Sequence, residues 1–193
     1  VISMAVATFG GHRPVYDPKS AQRMQLRLVD VTRAYFNAKI DREAAPCFAE
    51  LSLGDAHKGK LCAEFLRHMY GTRAAADGWQ EEYSGTLVAE LGFSQGVSSP
   101  CVFNHAERST VLNVHGDGFI AAGSKRQLDW FEDAVRHHYE LTTQPRLGPG
   151  SEDAKEGAIL NRVIRWTEHG LEYEADPRQA EKLIKECGLG GSN

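Results

Sequence analysis

Long apolar runs are missing. No stretch reaches the roughly 18 consecutive apolar residues that a membrane-spanning helix needs. Cysteine is scarce and scattered: Cys47, Cys62, Cys101 and Cys187 form no C-x-x-C pair and no dense framework. This excludes a disulfide scaffold and implies free thiols in a reducing, intracellular compartment, cytoplasmic or nuclear. An excess of positive charge is also absent. With 22 Lys and Arg against 26 Asp and Glu, the net charge is −4, so there is no globally basic nucleic-acid footprint. Residues 1–10 lack the basic n-region of a signal peptide. No repeat of about 20–50 residues marks a solenoid. Ser98-Ser99 sits in no nucleophile elbow. The phosphate-loop pattern is missing around Gly116-Asp117-Gly118. The eight histidines offer no zinc-like ligand pair, and His137 and His138 diverge around a helix.

What remains is an ordinary globular composition. The 193 residues are 41% hydrophobic and 25% charged, which suits one domain or a domain with a small appendage. The chain starts at Val1, which suggests a fragment of something longer. Charge is uneven. Residues 1–40 carry Arg13, Lys19, Arg23, Arg27, Arg33 and Lys39 against Asp17 and Asp30, a balance of +4. Either one face meets a polyanion or this is a solvated surface.

Residues 24–31 alternate apolar and polar side chains and then turn apolar, a strand entering a core. Residues 41–59, with Pro46, Gly54 and Gly59, read as a connection. Residues 60–70 place Leu61, Phe65, Leu66 and Met69 at helical spacing. Residues 74–91 predict the clearest helix, with Trp79, Tyr83, Leu87 and Leu91 on one face and Gly92 at its end. Residues 101–103 and 110–114 predict strands, and 119–122 a third, with a hairpin tip near Asp117. Ser124 is a candidate N-cap for a helix carrying Leu128, Phe131, Val135 and Tyr139. Residues 143–157 form the longest predicted loop, dividing a core over 1–142 from a unit over 158–193. In that unit, 158–166 and 171–174 predict a hairpin. Asp176-Pro177 would open a last helix that ends at Gly188, followed by a frayed tail. Strands arriving as hairpins predict an α+β fold with a mainly antiparallel sheet of split β-α-β-β-α-β type.

Two carboxylates stand out. Asp30 closes an apolar strand and Asp117 sits at a hairpin tip. At adjacent strand ends they could share divalent cations for phosphoryl transfer. Alternatively, Asp30 caps a helix and Asp117 is an ordinary turn residue.

Several segments resemble, in order, the motifs of copia-type retrotransposon reverse transcriptases. Asp30-Val31-Thr32-Arg33-Ala34-Tyr35-Phe36-Asn37 is similar to Asp-Val-Lys-Thr-Ala-Phe-Leu-Asn. Met69-Tyr70-Gly71-Thr72-Arg73-Ala74-Ala75-Ala76-Asp77-Gly78-Trp79 is similar to Leu-Tyr-Gly-Leu-Lys-Gln-Ala-Pro-Arg-Ala-Trp. Leu91-Gly92-Phe93-Ser94-Gln95, followed by Ser99-Pro100-Cys101-Val102-Phe103, resembles Leu-Gly-Phe-x-Gln and Asp-Pro-Cys-Leu-Phe. His115-Gly116-Asp117-Gly118 stands where the family has Tyr-Val-Asp-Asp, and Ile159-Leu160-Asn161-Arg162-Val163-Ile164 where it has Phe-Leu-Gly-Ile-Glu-Val. The matches run from about residue 24 to 189.

The resemblance implies a polymerase palm, the start of a thumb, and RNA-directed DNA polymerisation with two Mg2+, or Mn2+, inside a larger polyprotein. Asp30, Asp117 and the Val31 carbonyl would hold the metals. Tyr35 would lie under the sugar of an incoming deoxynucleoside triphosphate and exclude a 2′-hydroxyl; otherwise it is a core aromatic. Gly71 and Arg73 would line the template and nucleotide side, or Arg73 makes a surface salt bridge. Trp79 reads as core. The implied partners are an RNA or DNA template–primer and nucleotides. Departures are as informative. Gly118 replaces the second hairpin aspartate, Ala74 a glutamine, and His115-Gly116 the pair Tyr-Val. The fingers strands that precede the first motif and the RNase H region have no counterpart here. A lost carboxylate worth about 4 kcal/mol to the transition state slows a reaction about a thousandfold. The alternative is therefore a non-catalytic remnant that binds nucleic acid or protein.

Overall fold

The computed structural model describes residues 24–43, 45–160, 162–174 and 177–188. Strand β1 spans Met24–Val31, as its alternation predicts. A 3-10 turn over Ala34–Asn37 follows, and then a two-stranded ribbon of β2 (Phe48–Glu50) and β3 (Cys62–Glu64). Helix α1 covers Ala75–Gly85 and runs into a π-helical turn over Thr86–Glu90. Strands β4 (Ser94–Gln95), β5 (Val102–His105), β6 (Thr110–His115) and β7 (Gly118–Ser124) lead to helix α2 (Lys125–Arg136) and strand β8 (Leu141–Thr143). Strands β9 (Glu156–Ile159), β10 (Arg162–Thr167) and β11 (Gly170–Tyr173) form a second sheet, and helix α3 (Pro177–Glu186) comes last.

The main sheet has the order β4-β5-β6-β7-β1-β8, with every ladder antiparallel. Its centre runs β1, α1, β6, β7, α2, β8 along the chain, which is the β-α-β-β-α-β order predicted above. The fold is α+β with a mainly antiparallel sheet. Period-two alternation sorts the two faces. Val29, Val31, Phe119 and Ala121 join Trp79, Tyr83, Leu128, Phe131 and Val135 in a core on the helical side. Leu26, Leu28, Ile120 and Ala122 face the other way and pack with Leu147, Ile159 and Ile164. Strand β7 is therefore covered on both faces, and its run from Phe119 to Gly123 is buried throughout.

Some local expectations change. Residues 60–70 are not helical. They form β3 and an extended segment, with backbone bonds from Phe65 N to Cys47 O and from His68 N to Ala38 O. The apparent stripe fails as a core face, since Leu61 and Leu66 are 59% and 60% exposed. The 41–59 connection contains β2. Residues 158–166 are not one strand: the chain turns at Leu160, whose φ is +50°, and β9 and β10 pair antiparallel. Ser124 occupies the N-cap position but makes no side-chain cap bond. Helix 74–91 holds, but with a four-residue apolar spacing each step drifts about 40° around an α-helix. The π turn, closed by Leu91 N to Thr86 O, accompanies that drift at the helix end. Asp176 and the tail beyond Gly188 lie outside the described residues. The 144–147 segment follows β1: Gln144 N bonds Leu28 O, and Leu26 and Leu147 exchange both backbone bonds. Among the described residues the four cysteines are free, and no helix is long and apolar enough to cross a membrane.

Candidate functional site

The register of β1, β7 and β6 builds the site. Asp30 lies opposite Gly118, Gly118 opposite His115, and Asp30 also opposite Thr142. Directly opposed residues project from the same face. His115, the bare Gly118, Asp30 and Thr142 thus form a row across four strands, on the face away from the helices. The β6–β7 connection has two residues, Gly116 and Asp117. Gly116 has φ +61° and Asp117 does not share it, the pattern of a II′ turn with glycine first. Val31 N–H, next to Asp30, donates to Asp117 O at 2.9 Å. The strand end and the turn are therefore bonded side by side.

A cleft of about 340 Å3 opens there, between the main sheet and β9. Asp30, Asp117, His115, Thr142 and Gln144 supply its polar lining, and Leu28, Ile120 and Ile159 its apolar lining. No Lys or Arg among the described residues lines it. Burial, and then the charge of Asp117, push the Asp30 carboxyl above its ordinary value of 3.8. Two carboxylates in one lining are the donor type that a hard divalent cation takes. Mg2+ in particular binds through one or two carboxylates and completes its shell with water and phosphate oxygens. Among the described residues no group of three His, Cys, Asp or Glu side chains is gathered to hold a metal ion.

The remaining expected residues fall nearby in different ways. Val31 is buried in the helical-side core. Tyr35 is half-buried against the helical-side core and stands edge-on to Tyr70, with ring centroids 4.4 Å apart, and neither ring lines the cleft. Tyr70 also meets Phe36 at 5.9 Å. Burial, followed by the charge of Asp117 and more weakly of Asp30, raises the Tyr70 phenol pKa, while a backbone hydrogen bond from Ala34 opposes them. Tyr70 is the residue that sequence reasoning missed as a site member; its position beside Gly71 in the second motif was the available signal. Gly71 takes φ +86° in the turn that Thr72 Oγ1 closes on Met69 O at 2.8 Å. Arg73 is exposed just before α1, and neither it nor Gly71 lines the cleft. Glu50 pairs with Lys58 at 3.7 Å and Asp55 accepts from His57 N, so neither takes the place of the carboxylate missing at Gly118.

Trp79 reaches the site from behind. It is buried in α1, and its Nε1–H donates to Gly116 O at 2.9 Å. Comparison with models of known protein families and with curated proteins gave no match.

Proposed function

We propose that the cleft is the nucleotidyl-transfer site of an RNA-directed DNA polymerase palm of the copia type, which takes a template–primer and deoxynucleoside triphosphates. The observation that carries this reading is the pairing of Asp30 and Asp117 at adjoining strand ends, over a cleft that no Lys or Arg among the described residues lines. Asp30 and Asp117 would hold the cation. When bound, a divalent cation supplies positive charge to the attacking and leaving oxygens of phosphoryl transfer. Tyr35 and Tyr70 meet edge-on at 4.4 Å outside the lining of the cleft, with Tyr35 packed against the helical-side core, so the nucleotide-sugar role of Tyr35 rests on the resemblance alone. With a net charge of −4, affinity for nucleic acid is weak and falls steeply with salt.

One feature favours a second reading, a non-catalytic remnant that binds nucleic acid: Gly118 puts no oxygen into the row between His115 and Asp30. Primer extension on an RNA template, with Mg2+ and then Mn2+, separates the two. Extension by the parent that Asp30→Ala abolishes supports the polymerase. Extension only after Gly118→Asp supports the remnant. Absence of both extension and low-salt template binding in all three proteins sinks both readings.

A further inference from the structure

The turn that carries Asp117 has two residues, and groups outside the hairpin occupy both carbonyls. Val31 N–H donates to Asp117 O at 2.9 Å, and Trp79 Nε1–H donates to Gly116 O at 2.9 Å. His115 and Gly116 are exposed, so the turn has little packing of its own. The indole, by contrast, is fixed. Trp79 is 1% exposed, stacks on Phe119 at 6.4 Å, and stands edge-on to Tyr83 at 5.4 Å and Tyr139 at 5.1 Å. Its ring cannot swing without disturbing three aromatic neighbours.

We propose that Trp79 is a positioning residue: its indole N–H holds the Gly116 and Asp117 turn in place, so that the Asp117 carboxylate stays beside Asp30. Apolar bulk alone accounts for the rest of the stripe, and a phenyl ring would supply that. The N–H is the one part of the side chain that bonds the turn. The argument rests on reading Asp30 and Asp117 as a cation site, but its mechanical half does not depend on any cation.

The test uses the full chain with Trp79→Phe and with Trp79 replaced by benzothienylalanine, which keeps the bicyclic outline and puts sulfur in place of N–H. Amide hydrogen exchange is followed at Val31 and within α2, and Mn2+ binding by electron paramagnetic resonance. The expected result is exchange at Val31 faster by about three- to tenfold, the equivalent of one hydrogen bond, with α2 protection kept. Mn2+ affinity falls by a similar factor. Unchanged Val31 protection in the isostere overturns the proposal. So does equal loss of protection at Val31 and in α2, which marks a merely structural role. If the parent binds no Mn2+, the cation reading falls, and the exchange comparison still decides the clamp.

Discussion

Asp30 lies exposed at the end of β1 and is only partly withdrawn from solvent. Partial burial, and then the charge of Asp117, raise its pKa above 3.8, so folding disfavours its ionised form relative to the unfolded chain. Its contribution to stability is fully present below pH 3.8 and is lost as pH rises through the folded value, leaving a cost at neutral pH. Asp30→Asn is therefore expected to raise the thermal midpoint at pH 7, with the gain vanishing below about pH 4 in a pH series. On the proposed reading, in which Asp30 and Asp117 hold a divalent cation, added cation is expected to reverse the order. At a hundred times its Kd, Mg2+ or Mn2+ adds about 2.7 kcal/mol to the parent and almost nothing to Asp30→Asn. Gly118 belongs to the same argument. A Cβ there meets only His115 O at 3.4 Å, an ordinary contact, and its φ lies outside the left-handed region. Gly118→Asp should fold, lower the cation-free midpoint, and raise Mn2+ affinity about tenfold, or 1.4 kcal/mol, by titration calorimetry. No change in affinity would mean that the row is not a cation site.

Elements were legible in the sequence wherever one face is buried. Alternation located β1 to the residue, and the Trp79, Tyr83 and Leu87 stripe located α1. Residues 60–70 were illegible because their helical spacing is accidental: Leu61 and Leu66 face solvent, and the ribbon of β2 and β3 is held by backbone pairs that leave no side-chain period. The turn at Leu160 was hidden because no glycine marks it. The placing of Asp30 and Asp117 at neighbouring strand ends was legible through the alternation and the hairpin signal. Tyr70 and the Trp79 N–H were not, because their roles depend on packing between segments far apart in the chain. Leu147 shows the same limit. Gly148, Pro149 and Gly150 beside it signal a loop, yet Leu147 is fully buried and bonded to Leu26 through both backbone groups. Leu147→Ala is expected to cost about 2–5 kcal/mol in urea unfolding, the value for a core site. A loss under 0.5 kcal/mol would show that this segment is not part of the core.

Among the described residues, the six-stranded sheet lies between two apolar layers. The larger holds α1 and α2 against β1, β6 and β7, and the smaller holds β9 and β10 against the opposite face. The cleft lies where the smaller layer stops short of covering Asp30 and Gly118. Both layers use the same strands, and successive residues of β1 and β7 alternate between them. Neither layer can melt without exposing the back of the other, so unfolding is expected to be a single transition. Leu128→Ala tests the helical side and Ile164→Ala the other, both at sites 1% exposed or less. Each should cost about 2–5 kcal/mol. Both should shift one common urea transition, read alike by far-ultraviolet dichroism and by tryptophan fluorescence. The sites share no contact cluster, so the double variant should lose close to the sum. Against a usual total of about 5–15 kcal/mol, that leaves it near the edge of folding. Two separated transitions, with Ile164→Ala moving only one, would instead mean that the β9 to β11 layer folds independently and that the cleft's second wall can leave the aspartates.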